Sequence, residues 1–351
     1  MIDLHVQRYA LLALAAAALF GASTPIAKLL LGEVSPVVLA GLLYLGSGLG
    51  LALLQLARGR VRRLREASLT LRDWGWLAGA IFAGGVVAPV LLLWGLAGSG
   101  AAETSLLLNF EGVMTTIVAA VVFREAIGGR VWVAALVMLT GGLVLAYDPS
   151  APLPFSVPAL AIVGACFCWA IDNNLTRKVA RADPVVTAMT KGLAAGSFNL
   201  ALGLALGGKY PDLAAAAGAL ALGFLSYGVS LVLFIYALRH LGAARSGAHF
   251  STAPFIGAAL AVPLLGEPVS SGLIAATTLM ALATWLVLTE HHSHEHTHER
   301  LLHAHRHVHD AHHQHAHHGD EGPEPHVHEH VHEPTRHAHP HAPDLHHRHD
   351  H

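Results

Sequence analysis

The chain has 351 residues, 54% of them hydrophobic and 13% charged, with a formal net charge of −2. That is too apolar for an ordinary water-soluble domain and carries no basic excess to attract nucleic acid. Two cysteines, Cys166 and Cys168, exclude a disulfide framework and read as small residues buried in a helix.

The averages hide two unlike pieces. Residues 1–289 are almost continuously apolar and hold 17 Lys/Arg against 12 Asp/Glu, whereas residues 291–351 hold 25 of the 28 His. In the first piece, stretches of about 20 apolar residues recur, the length a helix needs to cross a bilayer. The spacing predicts ten spans, over 9–31, 36–57, 74–97, 102–123, 130–147, 157–178, 184–207, 214–238, 243–265 and 271–289. The opening run from Arg8, RYALLALAAAALFGASTPIAKLLL, is long and followed by many like it, so it reads as the first span and not as a leader.

Connections on one side hold 14 basic residues, from Arg8 and the Arg58–Arg72 group to Arg239 and Arg245; the other side holds Lys28 and Lys209. Basic residues are retained in the cytoplasm, so both termini are expected there, in a plasma (inner) membrane.

The body repeats itself. At an offset of 142, Gly100-Ala101-Ala102 fall on Gly242-Ala243-Ala244, and Glu125 falls on Glu267. SPVV at Ser35 matches DPVV at Asp183, and Phe20 and Lys28 match Trp169 and Arg177. The domains expected are thus a first five-helix repeat over 1–148, a second over 149–290 and a tail over 291–351. Five spans per copy make the copies run through the membrane in opposite directions, a common construction of secondary transporters.

Three features together carry a family resemblance: the twofold five-helix repeat, ALFGASTPIAK in the first span, and a small-residue helix ending in Glu. That helix reads FEGVMTTIVAAVVFREAIGG in one half and TAPFIGAALAVPLLGEPVSS in the other. The chain resembles the EamA-type permeases of the drug/metabolite transporter superfamily over residues 1–290. The resemblance implies an all-α polytopic membrane protein of ten helices as two inverted EamA-like repeats. It also implies export or exchange of small metabolites or drug-like solutes. Glu111 departs from the pattern, since its counterpart in the second half is Ala253.

Ionisable groups within spans are costly and mark cavities or partners. Glu111 and Asn109 lie near the middle of the fourth span. Asp172, Asn173 and Asn174 lie in the sixth, Lys191 in the seventh and His249 in the ninth. At 1.5 Å per residue, Asp172, Lys191 and His249 lie roughly 8–10 Å in from the cytoplasmic side. An Asp172–Lys191 pair would neutralise both charges, as a lock between helices or as part of a transport site. Glu111 has no basic partner at its own depth. It is the candidate to carry a proton, or to exchange that proton for a cationic group of cargo. Glu125 and Glu267 read as caps or gates at opposite helix ends.

The tail is not a cloning tag. Residues 294–317 align without gaps to 328–351 at an offset of 34, with 14 of 24 positions identical. Almost nothing in it can form a core, so a disordered segment is expected. Imidazole suits Zn, Ni, Co and Cu, and an extended H-x-H puts both rings on one side. The candidate ligands are His294, His296, His298, His303, His305, His307, His309, His312, His313 and His315, with His328, His330, His332, His337, His339, His341, His346, His347 and His349. A pH response is the rival. The stretch from Glu290 carries 4 Arg against 11 Asp/Glu, −7 with His neutral, and turns basic on mild acidification.

No nucleophile–base pair, phosphate loop or catalytic metal motif is present, so no catalytic residue and no enzyme are expected. The leading expectation is a secondary transporter needing no cofactor, with a metal-binding cytoplasmic tail. The alternatives are a Ni, Co or Zn exporter fed by that tail, and a membrane-tethered metal sensor. The expected partners are a small-molecule solute, lipid, divalent metal ions and a second copy as a homodimer.

Overall fold

The structure, a computed structural model, describes residues 4–58, 71–123, 129–147, 156–179, 183–241, 243–289, 292–297, 301–307, 326–332 and 336–341. The described part of the body is built of helices. In the first half, α1 has two pieces, Leu4–Gly21 and Ser23–Leu30. It is followed by α2, Pro36–Arg58. Helix α3 runs through Leu71–Ala80, a π-helical stretch Ile81–Val87, and Ala88–Gly98. Helix α4 is broken into Ala101–Leu107 and Phe110–Phe123, and α5 is Gly129–Ala146.

In the second half, α6 is Val157–Thr176 with a 3₁₀ turn at Arg177–Val179, and α7 is Pro184–Ala205. Helix α8 runs through Leu213–Gly223, a π-helical stretch Phe224–Val229, and Ser230–Leu241. Helix α9 is broken into Ala243–Phe250 and Ala253–Leu265, and α10 is Ser271–Leu288.

Local chemistry sets the ends. Asp183 Oδ1 accepts from Val185 N at 2.7 Å, Asp212 Oδ1 from Ala215 N at 2.8 Å, and Ser270 Oγ from Leu273 N at 3.0 Å. Each satisfies a first-turn N–H that has no partner within its helix. Gly266 closes α9 at φ 67°, a left-handed conformation that favours glycine.

Among the described residues, nine of these ten helices are long and apolar enough to cross a membrane. The exception is α7, where Lys191 and Asn199 lower the hydropathy of a helix of sufficient length. The perimeter suits lipid: Leu11, Leu53, Val121, Leu136, Ile274 and Trp285 are all exposed. A water-facing surface does not carry so much exposed apolar area.

The halves interlock. Helix α2 lies along α7, α5 along α10, α3 on α6, α1 on α8, and α4 on α9 and α6. The α2–α7 contact is reciprocal. A Cβ at Gly48 would stand 2.6 Å from Leu193 N, and one at Gly196 would overlap Leu45 N. The two contacts are related by the same offset of 148 that relates SPVV to DPVV. Small residues allow backbones to touch where lipid gives no hydrophobic drive to associate. Gly196→Val is therefore expected to cost about 1–3 kcal/mol or more by overpacking. Gly48→Val should cost the same. Thermal unfolding of the purified protein in detergent measures both, and unequal losses would sink the reciprocity.

Residues after 290 form a separate compact unit, 291–350. It has strands β1 His292–Thr297, β2 Leu301–His307, β3 His326–His332 and β4 Arg336–His341. Strand β1 pairs antiparallel with β4, and β2 with β3. The physical reason lies in the period: alternation of His with other residues matches the two-residue repeat of a strand, even without a core.

Candidate functional site

The polar side chains within the body converge where α4, α6, α7 and the π-helical stretch of α3 meet. Lys191 Nζ donates to both carboxylate oxygens of Asp172, at 2.5 Å and 2.7 Å, and lies 3.4 Å from Thr176 Oγ1. Thr176 in turn donates to Asp172 Oδ1 at 2.9 Å. The fourfold spacing of Asp172 and Thr176 on α6 puts both on one face toward α7. Asp172 is only 5% exposed, so its charge depends on that lysine.

One residue further along α6, Asn173 Nδ2 donates to Glu111 Oε1 at 3.0 Å and lies 3.3 Å from Thr115 Oγ1. Asn174 Nδ2 donates to the Thr115 carbonyl at 3.1 Å and the Ala170 carbonyl at 2.8 Å. Its Oδ1 is buried without a partner among the described residues. Glu111 therefore has an amide as its partner and no cation at bonding distance among the described contacts.

The π-helical stretch of α3 supplies the floor. A π turn takes one extra residue and moves carbonyls out of the regular ladder, free to accept elsewhere. The Gly84 carbonyl accepts from Tyr44 Oη at 2.7 Å and Trp169 Nε1 at 2.9 Å. Asn199 Nδ2 donates to the carbonyls of Gly85 at 3.0 Å and Val86 at 3.3 Å. Gly84 also lets the Asp172 carboxylate approach, because a Cβ there would overlap Asp172 Oδ2.

Two expected members stand elsewhere. Asn109 sits in the break of α4, and its Nδ2 donates back to the Leu106 carbonyl at 2.8 Å. His249 is the last residue but one of the first piece of α9, which packs on α1 and α8. Its neighbour Phe250 stacks near Phe20 and Phe234, with ring centroids 5.5 Å and 4.8 Å apart. Equal depth thus did not bring His249 to Lys191, because depth says nothing of which helices are neighbours.

Glu267 lies just beyond α9 and reaches the start of α4. Its carboxylate accepts from Ala101 N at 2.5 Å and Ala102 N at 2.8 Å. On the other side of the same turn, Lys28 Nζ donates to the carbonyls of Leu96 at 2.6 Å, Ala97 at 3.2 Å and Ser99 at 2.8 Å. Cation and anion sit at the helix ends whose dipoles they complement. The α3–α4 turn is thereby clamped from α1 and from α9. Glu125, the repeat counterpart of Glu267, lies outside the described residues, as do His298, His309, His312, His313, His315, His346, His347 and His349.

The breaks themselves match between halves. Helix α4 is interrupted at Leu108–Asn109 and α9 at Ser251–Thr252, and the π-helical stretches fall in α3 and α8. The EamA-like transporter family model matches this chain twice, over residues 7–147 and 157–289. The chain belongs to the EamA-like transporter family.

This EamA-like protein is 25% identical over 282 residues to an uncharacterized transporter of Methanothermobacter thermautotrophicus (strain Delta H), covering 75% of this chain and 82% of that one. A solved crystal structure with 19% identity superposes at a TM-score of 0.60, covering 80% of this chain and 95% of that chain; the likeness is one of fold. The EamA-like chain is an integral membrane protein and a transporter, with a small-molecule solute as its partner. Four residues of the site escaped the sequence reading: Tyr44, Trp169 and Asn199 on the π-helical carbonyls, and Thr115 beside Asn173. Each is an ordinary residue in an apolar run, so composition carries no signal. For Lys28 a signal existed in its match to Arg177.

Proposed function

We propose that this transporter is a secondary-active exporter or exchanger of a small metabolite or drug-like solute, working by alternating access between two inverted five-helix repeats. The observation that carries the proposal is the pair of broken helices, α4 and α9, packed on each other next to the buried polar cluster. Discontinuous helices at the interface of two repeats are where such proteins build their sites. Glu111, Asn173, Asp172 and Lys191 form the solute and coupling site. Asn109 and His249 are peripheral to it, in the breaks of α4 and α9. A cationic or amino group of cargo replaces a proton on Glu111.

The clamp on the α3–α4 turn is the gate of one side. With the termini cytoplasmic, in a plasma (inner) membrane, that side is the outer one. By the repeat, Arg177 is the counterpart of Lys28 for the cytoplasmic side. Homodimerisation is compatible with this scheme and not required by it.

Uptake of radiolabelled amino acids and organic cations into proteoliposomes, with and without an imposed pH gradient, tests the reading. The wild-type protein should move at least one of them, faster with the gradient. Glu111→Gln should move it at a rate indifferent to pH. Equal flux and equal pH dependence in both proteins would remove Glu111 from the mechanism. No flux of any compound by the wild type would favour a membrane-tethered sensor.

A second reading makes the protein an exporter of Ni, Co or Zn fed by the tail. The matched His register of the tail strands favours it, and in either reading the tail binds divalent transition metals. Growth of a strain lacking the gene, across a metal series, separates the two. Tolerance that needs both the spans and the tail supports metal export; tolerance that needs the tail alone makes it a buffer beside an unrelated permease.

A further inference from the structure

Five aromatic side chains of the body stand apart from its packing. The side chains buried most completely are Leu, Ile, Val and Met. Phe20, Tyr44, Trp169, Tyr227 and Phe250 are only part-buried. They come from α1 and α2 of one half and from α6, α8 and α9 of the other. Together they form a continuous series. The Tyr44 ring lies 5.9 Å from that of Tyr227, Tyr227 lies 5.8 Å from Phe20, and Phe20 lies 5.5 Å from Phe250. Trp169 joins the series through Gly84, whose carbonyl accepts from both Trp169 Nε1 and Tyr44 Oη. The series thus runs from the polar cluster on α6 to the break of α9. By the repeat, Phe20 is the counterpart of Trp169.

The polar end of the series is unequal in charge. Trp169 and Asn173 are four residues apart on α6, so they share a face about one 5.4 Å turn apart. Asn173 in turn donates to Glu111. Tyr44 lies within electrostatic reach of Glu111 and Asp172. Lys191 is given to both oxygens of Asp172, and that pair is neutral. Glu111 has an amide as its partner, so its carboxylate is the charge left for a ligand. The site therefore favours a cation. The carboxylate of a zwitterion would find Lys191 already taken.

Resting on the reading that Glu111 receives the charge of the cargo, we propose that this aromatic series selects the cargo, an organic cation carrying an aromatic ring. The ring lies against the series and the cationic nitrogen at Glu111. Aromatic side chains take a flat ring in offset or edge-on geometry, and their faces also attract the cationic group. A saturated ring of the same size is buried as apolar surface but offers no flat face to stack. An arm of a few bonds between ring and nitrogen covers the one turn from Trp169 to Asn173. Phe20, Tyr44, Trp169, Tyr227 and Phe250 are thus specificity-determining residues, and none of them carries charge.

The test uses the full chain in proteoliposomes and two radiolabelled, permanently charged probes, phenethyltrimethylammonium and its ring-saturated counterpart cyclohexylethyltrimethylammonium. Their charge is the same, so only the ring differs. The wild-type KM is expected to be at least tenfold lower for the aromatic probe. Tyr227→Leu and Phe250→Leu should each bring the two KM values to within threefold. The ratio is taken within one protein, so a variant that folds in lower yield is still read. Equal KM values in the wild type, or a preference that both substitutions leave untouched, would overturn the inference. So would flux of neither probe, or phenylalanine carried in preference to both. Glu111→Gln separates this inference from the reading it rests on. If it slows both probes while the wild type shows no ring preference, the aromatic wall falls and Glu111 stays. If it carries both probes as the wild type does, the reading of Glu111 falls and the inference with it.

Discussion

Lys191→Met is expected to destabilise the protein by about 3–5 kcal/mol, because it leaves the Asp172 carboxylate buried and without its cation. Lys191 supplies the cation for both Asp172 oxygens, and among the described bonds Thr176 would then remain to the carboxylate. For a chain of this size the loss corresponds to a fall in melting temperature on the order of 10 °C. The double variant Asp172→Asn/Lys191→Met removes both charges together. It should recover more than half of the lost stability, since the stranded charge and not the missing attraction carries most of the cost.

Flux then separates two roles for the pair. If Asp172 and Lys191 only lock α6 to α7, the double variant regains transport along with stability. The proposed coupling role requires the stable double variant to stay below about a tenth of wild-type flux, tenfold being about 1.4 kcal/mol of barrier. Recovery of full flux would return the pair to a structural role and leave Glu111 with Asn173 as the centre of the site.

Glu267→Gln is expected to open the clamp on the α3–α4 turn. The carboxylate accepts from two backbone N–H groups, and an amide in its place keeps only one accepting oxygen. A hydrogen bond to a charged group contributes roughly 1.5–3 kcal/mol. Losing it would favour the open form by roughly 10- to 100-fold. The readout is the rate at which a membrane-impermeant maleimide, added to intact cells, modifies Ser99→Cys in a background of Cys166→Ala and Cys168→Ala. The rate should rise by at least tenfold with Glu267→Gln. An unchanged rate would make Glu267 a helix cap without a gating role. Lys28→Gln probes the other side of the same turn, where three carbonyls lose their cation. It should act in the same direction.

The clamp and the cluster were legible in the sequence to different degrees. Glu267 and Glu125 stood out because a charge at the end of an apolar helix is rare and was duplicated. Asp172 and Lys191 were paired on depth alone, and the structure brings them together. His249 shares their depth, and its helix piece packs on α1 and α8. Glu111 was seen as lacking a basic partner; Asn173 as its partner was not foreseen, because Asn173 and Asp172 differ by only one residue in depth and face different neighbours.

By itself the sequence determined the membrane setting, the twofold repeat and the rarity of charge within the spans. Lipid enforces the first and the last through apolar length and the cost of an ionised group, and the repeat shows as matched residues at a constant offset. The tail's two-residue period was equally plain. Only the tertiary structure decided which helices meet. Reciprocal glycine contacts bring α2 against α7, and the π-helical stretch of α3 turns carbonyls toward Tyr44, Trp169 and Asn199. These are matters of rotation about a helix axis and of one extra residue in a turn. Neither changes the hydrophobic pattern, so neither leaves a trace in the order of the residues.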